Sequence, residues 1–366
     1  MKAGVLLVGN FLRATNAHAL GEDLRAHLDD RGWRTVTTSA RRAALARLAD
    51  MVGTAWRRRG DYAVAQVNVY SGRAFLWAEA VCATLRLARK PYILSLHGGN
   101  LPRFARRWPR RTRRLLRRAV AVTAPSPYLR EHMRPYRGDV QLLPNPLELA
   151  DYAFVARPAP RPRLVWLRAF HAVYDPGLAP RVVAELAADV PDVALRMIGP
   201  DAEPGSRAAT AALARTLGVA DRVTLLDKVP KREVPAALQR GDIFLNTARV
   251  DNTPVCVLEA LACGLCVVST NVGGMPYLLR HEHDALLVPP GDPVAMAGAV
   301  RRLLHEPGLA ERLSRNGRRT AEQFAWDRVL PRWEALLTAA VHRVHRVHPG
   351  DTGRETRAAA RPARPR

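Results

Sequence analysis

Lysine is nearly missing from this chain: four residues among 57 basic ones, so arginine carries almost all of a formal net charge of +24. Little Lys beside abundant Arg, Ala and Pro follows a bias toward GC-rich codons, and part of that charge carries no functional meaning. Cysteine is also scarce. Four residues, Cys82, Cys256, Cys263 and Cys266, make no disulfide framework and fit a reducing compartment. No apolar run approaches the roughly 20 residues that span a bilayer. The apolar core of MKAGVLLVGN is too short for a signal peptide and reads as a first strand. Aromatic residues make up only 6%, yet 48% apolar content suits an α/β protein with sizeable cores.

What is present is alternation. Short apolar runs at Ala3–Val8, Tyr62–Val67, Tyr92–Leu96, Val120–Thr123 and Val140–Leu143 predict strands, and Arg34–Thr38, after Gly32, can form another. Between them, the stripe Leu20, Leu24, Leu28 and the segment from Ala74 to Arg89 predict helices. A second series follows: Leu164–Leu167, Val193–Ile198, Val223–Leu226, Ile243–Asn246 and Cys266–Ser269. Two doubly wound parallel sheets are expected. The Pro-rich stretch 156–163, ARPAPRPR, marks the expected junction. The layout is then 1–155, a Rossmann-like domain; 156–325, a second one; 326–341, helical, with Trp326 and Trp333 packing on the body; and 342–366, an Arg- and Pro-rich tail expected to be disordered.

The densest stretch is Asp251 to Leu279. Asp251 and Glu259 bracket Pro254, which opens a helix; a buried strand follows; then Gly273-Gly274 turns into Met275-Pro276. That order sets polar groups at the carboxyl end of a parallel strand, where open α/β sheets bind ligands. Free amides of such a turn suit a phosphate. Asp251, in the loop, can accept from sugar hydroxyls, and Glu259 from the vicinal diol of a ribose. The plainer alternatives are a capping Asp251 and a solvated Glu259.

The pattern Asp-x7-Glu followed by ACGLCVVSTNVGGMP resembles the donor-site signature of the family 4 (group 1) glycosyltransferases, whose first acid is usually Glu. The resemblance implies the GT-B fold, two tandem Rossmann-like domains with a donor site in the cleft between them, the first domain holding the acceptor. It also implies retaining transfer of a sugar from a nucleotide-sugar to an acceptor hydroxyl, with no metal and no cofactor. Arg168 would grip the diphosphate. Asp251 and His97 would hold the sugar and Glu259 the ribose. Donor contacts are expected from Gly9, Asn10, Lys228, Val229, Asn252, Thr253, Gly273 and Gly274. The last helix would cross back to the first domain. Where the family usually has a Lys, this chain has Tyr174-Asp175; Lys228 or Lys231 could substitute.

Rival readings differ in class. An epimerase or phosphorylase could use the same scaffold, as could a nucleotide-binding protein without turnover. Nine arginines between Arg103 and Arg118, interleaved with Phe104 and Trp108, allow a cationic amphipathic helix. It suits an anionic membrane surface; the family resemblance implies a lipid-linked or carbohydrate acceptor, in cell-envelope glycolipid or polysaccharide synthesis on the cytoplasmic side. Nucleic acid ranks last, since no recognition module accompanies the charge. Cys263-x-x-Cys266 has metal or redox spacing but reads as core. His342, His345 and His348 read as a basic tail.

Overall fold

A computed structural model describes residues 2–9, 11 and 19–347. Asn10 and the tail from 348 lie outside the described residues.

The first sheet contains β1 (Gly4–Val8), β2 (Arg34–Thr38), β3 (Val64–Val69), β4 (Tyr92–Leu96), β5 (Ala121–Ala124) and β6 (Gln141–Leu142). All pairings are parallel, in the order β2-β1-β3-β4-β5-β6. Its helices are α1 (Ala19–Asp30), α2 (Ala44–Arg57), α3 (Arg73–Leu87), α4 (Leu101–Arg107), α5 (Pro109–Arg117) and α6 (Pro127–Met133). The second sheet contains β7 (Arg163–Leu167), β8 (Ala194–Ile198), β9 (Val223–Leu226), β10 (Ile243–Asn246), β11 (Cys266–Thr270) and β12 (Leu286–Val288). It is also parallel, ordered β12-β11-β10-β7-β8-β9. Its helices are α7 (Leu178–Leu186), α8 (Ser206–Thr216), α9 (Val234–Leu238), α10 (Val255–Ala262), α11 (Met275–Leu278), α12 (Pro293–His305) and α13 (Leu309–Glu322); α14 (Trp326–Val347) follows.

Burial on both faces explains why the strands read as unbroken apolar runs. In β1, Leu6 and Val8 face a core shared with Met51 and Val81, while Val5 and Leu7 face Leu24, Leu28 and Trp333. In β7, Leu164 and Trp166 enter one core and Val165 the other. Each sheet reverses its winding once, between β1 and β3 and between β7 and β10. Those two switch points are where crevices open in such sheets.

The domain junction lies earlier than the Pro-rich stretch. Leu143 packs in the first domain, whereas Leu147 and Tyr152 already belong to a second-domain core. The crossing is therefore Pro144-Asn145-Pro146. Residues 156–163 form an irregular strap held on the second domain: buried Arg157 and then Arg163 pair with Asp242. Proline stiffens this strap, and the charge pairs fasten it.

The return crossing runs beside the first. The Leu147 amide donates to the Phe324 carbonyl at 2.7 Å. Phe324 packs on the second domain and Trp326 on the first, so α14 crosses back. There Trp326 stacks on His27, and the Trp33 indole N–H donates to Glu334. The helix runs to Val347, past the expected end at 341, and no Gly or Pro falls between Pro331 within it and Pro349.

Candidate functional site

Arg168 follows β7 directly, and Asp251 lies in the loop after β10, so the second sheet's switch point brings them together. The Arg168 Nη2 group donates to Oδ2 of Asp251, and its guanidinium lies 4.3 Å from the Tyr174 ring centroid. Oδ1 of Asp251 accepts from the Asn252 amide at 2.8 Å. Asp251 thus shapes its own loop and does not cap α10, whose N-cap is Pro254 without a side-chain bond. The Nε–H of Arg168 is buried and unpartnered, as is the hydroxyl of Thr253. Each such group costs about 1–3 kcal/mol while it lacks a partner, a cost that an anion or hydroxyl-bearing ligand would remove.

The glycine turn closes on this loop. A Cβ on Gly273, which sits at φ +53°, would lie 2.1 Å from the Asp251 carbonyl oxygen. One on Gly274 would lie 1.8 Å from that of Asn252. Only glycine permits the approach. The Gly274 amide donates to the Asp251 carbonyl at 3.0 Å. The expectation of two free phosphate-binding amides is therefore corrected: Gly274 spends its N–H on fixing the loop. Among the described residues the Gly273 amide has no acceptor.

Glu259 is 4% exposed, so it is no solvated face charge. Its Oε1 accepts from the Tyr152 hydroxyl at 2.8 Å and from the Lys231 ammonium. Both donors use one oxygen, which leaves Oε2 for a further donor. Burial, and next the Glu259 carboxylate, push the Tyr152 phenol far above the usual range. It stays a donor. Of the two lysines considered, Lys231 reaches the acid; Lys228 gives its amide to Asp227, and Val229 packs on the second-domain core.

The first domain faces this loop. Gly98 and Gly99 follow β4, and a Cβ on Gly99 would lie 3.2 Å from Val250. The Ser126 hydroxyl donates to Asn252 Oδ1 across the cleft. Tyr277 Oη donates to Glu131 at 2.8 Å, a second bridge between domains. His97 stacks on Tyr70, and its Nε2 lies 3.0 Å from Asn68 Oδ1. Burial drives its pKa down to about 4, so the ring is neutral near pH 7. Gly9, expected as a donor contact, gives its amide to the Thr38 carbonyl at 2.8 Å, and its carbonyl accepts from the Ser39 amide.

The arrangement gathers Arg168, Asp251, Asn252, Thr253, Gly273 and Gly274 at one loop system, with His97 on the facing domain and Glu259 further into α10. Tyr152, Ser126 and Asn68 were not singled out from sequence. Each acts through a partner more than 25 residues away in the chain, and no local spacing signals that.

Two tempting motifs resolve otherwise. Cys263 and Cys266 are buried and free, their thiols pushed up to about 12 by burial. The arginine run forms two short helices, α4 and α5, broken at Trp108-Pro109, not one. Among the described residues no group of three or more His, Cys, Asp or Glu could hold a metal, and no helix is long and apolar enough to cross a membrane.

Comparisons with known proteins bear on the family and the fold. Residues 156–320 match the family described as glycosyl transferases group 1, and residues 55–151 match Glycosyltransferase Family 4. A D-inositol 3-phosphate glycosyltransferase of Salinispora tropica is 36% identical over 118 residues, 32% of this chain and 24% of that protein. Another, of Actinosynnema mirum, is 34% identical over 206 residues, 56% of this chain and 46% of that protein. The matched stretches span less than half of either relative. Among solved structures, a sucrose-phosphate synthase of Thermosynechococcus elongatus superposes with a TM-score of 0.78 at 19% identity, covering 93% of this chain and 100% of that one. Anabaena Alr3699/HepE, in complex with UDP and glucose, gives 0.75 at 16% identity, covering 92% of this chain and 100% of that one. The fold is GT-B.

Proposed function

We propose that this chain, a protein of the GT-B glycosyltransferase family, moves a sugar from a nucleotide-sugar donor to an acceptor hydroxyl presented by the first domain. The observation that carries the reading is the Gly273-Gly274 turn closed on Asp251-Asn252 beside the unpartnered Nε–H of Arg168. A diphosphate placed there would satisfy that donor and the Gly273 amide together. Oε2 of Glu259 would accept from a ribose hydroxyl, and Asp251 and neutral His97 from or to sugar hydroxyls.

In the retaining course that the sequence resemblance implies, the bond from the anomeric carbon to phosphate oxygen breaks, and the diphosphate leaves with the electron pair. The acceptor oxygen bonds to the same face and yields its proton to the departing phosphate. Arg168 stabilises the charge that develops there, in a crevice from which the two domains exclude water. No side-chain nucleophile is required.

The cationic surface of α4 and α5, with Trp108 48% exposed, supports peripheral contact with an anionic membrane and a lipid-linked acceptor on the cytoplasmic side. Synthesis of cell-envelope glycolipid or polysaccharide is the corresponding role. Pairing of both acids, with Arg168 and with Lys231, favours one second reading, a nucleotide-binding scaffold without turnover.

Thermal unfolding with UDP, GDP and ADP tests the reading. A ligand at about 100 times its Kd adds roughly 2.7 kcal/mol. One nucleotide is expected to raise the Tm, and Glu259→Ala to abolish the shift. Sugar release from the matching nucleotide-sugar then separates enzyme from scaffold. No shift with any nucleotide rejects the donor site.

A further inference from the structure

The carboxyl ends of β1, β3 and β4, at the first sheet's switch point, enclose a cavity of about 320 Å³. That lies at the small end of the range for ligand pockets, roughly 300–1,000 Å³. Its walls are apolar and aromatic: Phe11, Met51, Trp77 and Val81 meet Trp326 and Trp333 of the returning helix. Among the described lining residues Arg47 alone carries a formal charge at neutral pH, and its guanidinium lies 5.8 Å from the Trp77 ring centroid.

Several polar groups among the described lining residues pair with one another. Asn68 Oδ1 accepts from Gln66 at 2.7 Å and from His97 at 3.0 Å, and the Thr123 hydroxyl donates to Ser95 at 3.2 Å. An apolar group seated against the aromatic walls would gain by burial. His97 lines the cavity, and two residues further on Gly99 meets Val250 beside the candidate site.

We propose that the acceptor carries an apolar aglycone, an alkyl or aryl group, seated in this cavity with its reacting hydroxyl at His97. The proposal rests on the donor reading above and deepens it by naming the acceptor's chemistry. It makes the returning helix part of the acceptor site, since Trp326 and Trp333 wall the cavity while holding the two domains together.

The test uses the full chain, with n-octyl glucoside below its micelle concentration against methyl glucoside. Binding is followed by the fluorescence of the cavity tryptophans and by thermal shift, and nucleotide affinity is measured alongside. Each methylene transferred from water is worth roughly four-fold, so even partial seating gives the octyl compound at least a ten-fold advantage. Ala74→Phe, at a half-buried lining position, should remove that advantage by filling the space. Trp77→Ala should weaken it by opening a wall. A variant that still binds nucleotide is folded and counts. Equal binding of the two glucosides by a chain that binds nucleotide overturns the apolar aglycone and leaves the donor reading standing. An octyl advantage unchanged in both variants places the detergent elsewhere and also overturns it. Absence of nucleotide binding, with octyl glucoside still seated, removes the donor reading and the acceptor assignment with it.

Discussion

The phenol of Tyr152 donates a 2.8 Å hydrogen bond to Oε1 of Glu259, joining the segment that has just crossed between domains to the buried face of α10. The Lys231 ammonium reaches the same oxygen and lies 5.8 Å from the Tyr152 ring centroid. A buried carboxylate is thereby neutralised from one side only, and its second oxygen keeps a defined direction.

Tyr152→Phe removes the donor and leaves the ring. A hydrogen bond to a charged group is worth about 1.5–3 kcal/mol, so the Tm should fall by several degrees. Nucleotide affinity should fall as well, since Glu259 loses one of two constraints. Denaturant unfolding and calorimetric titration of the variant check both; unchanged affinity with lowered stability would confine Tyr152 to a structural role.

Gly274→Ala should be far costlier than its single methyl suggests. Its Cβ would overlap the Asn252 carbonyl oxygen at 1.8 Å, forcing the turn off the 251–252 loop. More than ten-fold loss of nucleotide affinity, about 1.4 kcal/mol, is expected. Gly298→Ala in α12 meets no atom within 4 Å and serves as the opposite control. It should stabilise the chain by roughly 0.5–1 kcal/mol.

Arg168→Ala should lower kcat by about 100-fold or more, the usual cost of one donor aimed at developing charge. Arg168→Lys keeps the charge but loses the Nε–H and the flat stacking on Tyr174, so it should recover only part of the rate. Steady-state kinetics of the two variants separate charge from geometry. Equal rates would remove the fork from the account.

His97 gives stability a pH dependence. Its pKa is about 4 in the folded chain against an ordinary 6.5. Between those values the unfolded chain binds a proton that the folded chain refuses. The contribution is therefore intact above about pH 6.5 and declines as pH falls toward 4. Denaturation midpoints at about pH 7 and pH 5 should differ less in His97→Gln than in the parent. Transfer itself should show no ionisation of His97 near neutrality.

Much of this fold was legible because each layer of the sequence repeats one physical instruction. Apolar runs of four to six residues, each ended by Gly, Pro or a polar pair, mark strands buried on both faces. Four strands, at Arg34, Tyr92, Val223 and Ile243, begin and end where the pattern ends. The spacing of Asp251, Glu259, Gly273 and Gly274 likewise marked the second-domain loop system. The partners of those residues were not legible. Nothing local in Ser126 indicates a bond to Asn252, which forms only where the two domains face each other, nor in Arg168 a bond to Asp251, which forms only once β7 and β10 lie side by side. The junction was misplaced for a related reason. Proline content reports stiffness, and the stiff strap at 156–163 is pinned by Asp242, whereas the true crossing is a three-residue step.

The return of α14 also orders events in time. Val5, Leu7, Leu24, Leu28 and Trp33 bury their outer face against Val329, Leu330, Trp333 and Leu337, which are made only after the whole second domain. The second domain's sheet is complete in the nascent chain before the first domain has its final layer. A nascent chain that has not yet reached Trp326 therefore carries an open apolar face on its first domain. Of the two domains, the one made earlier is completed only after the later one.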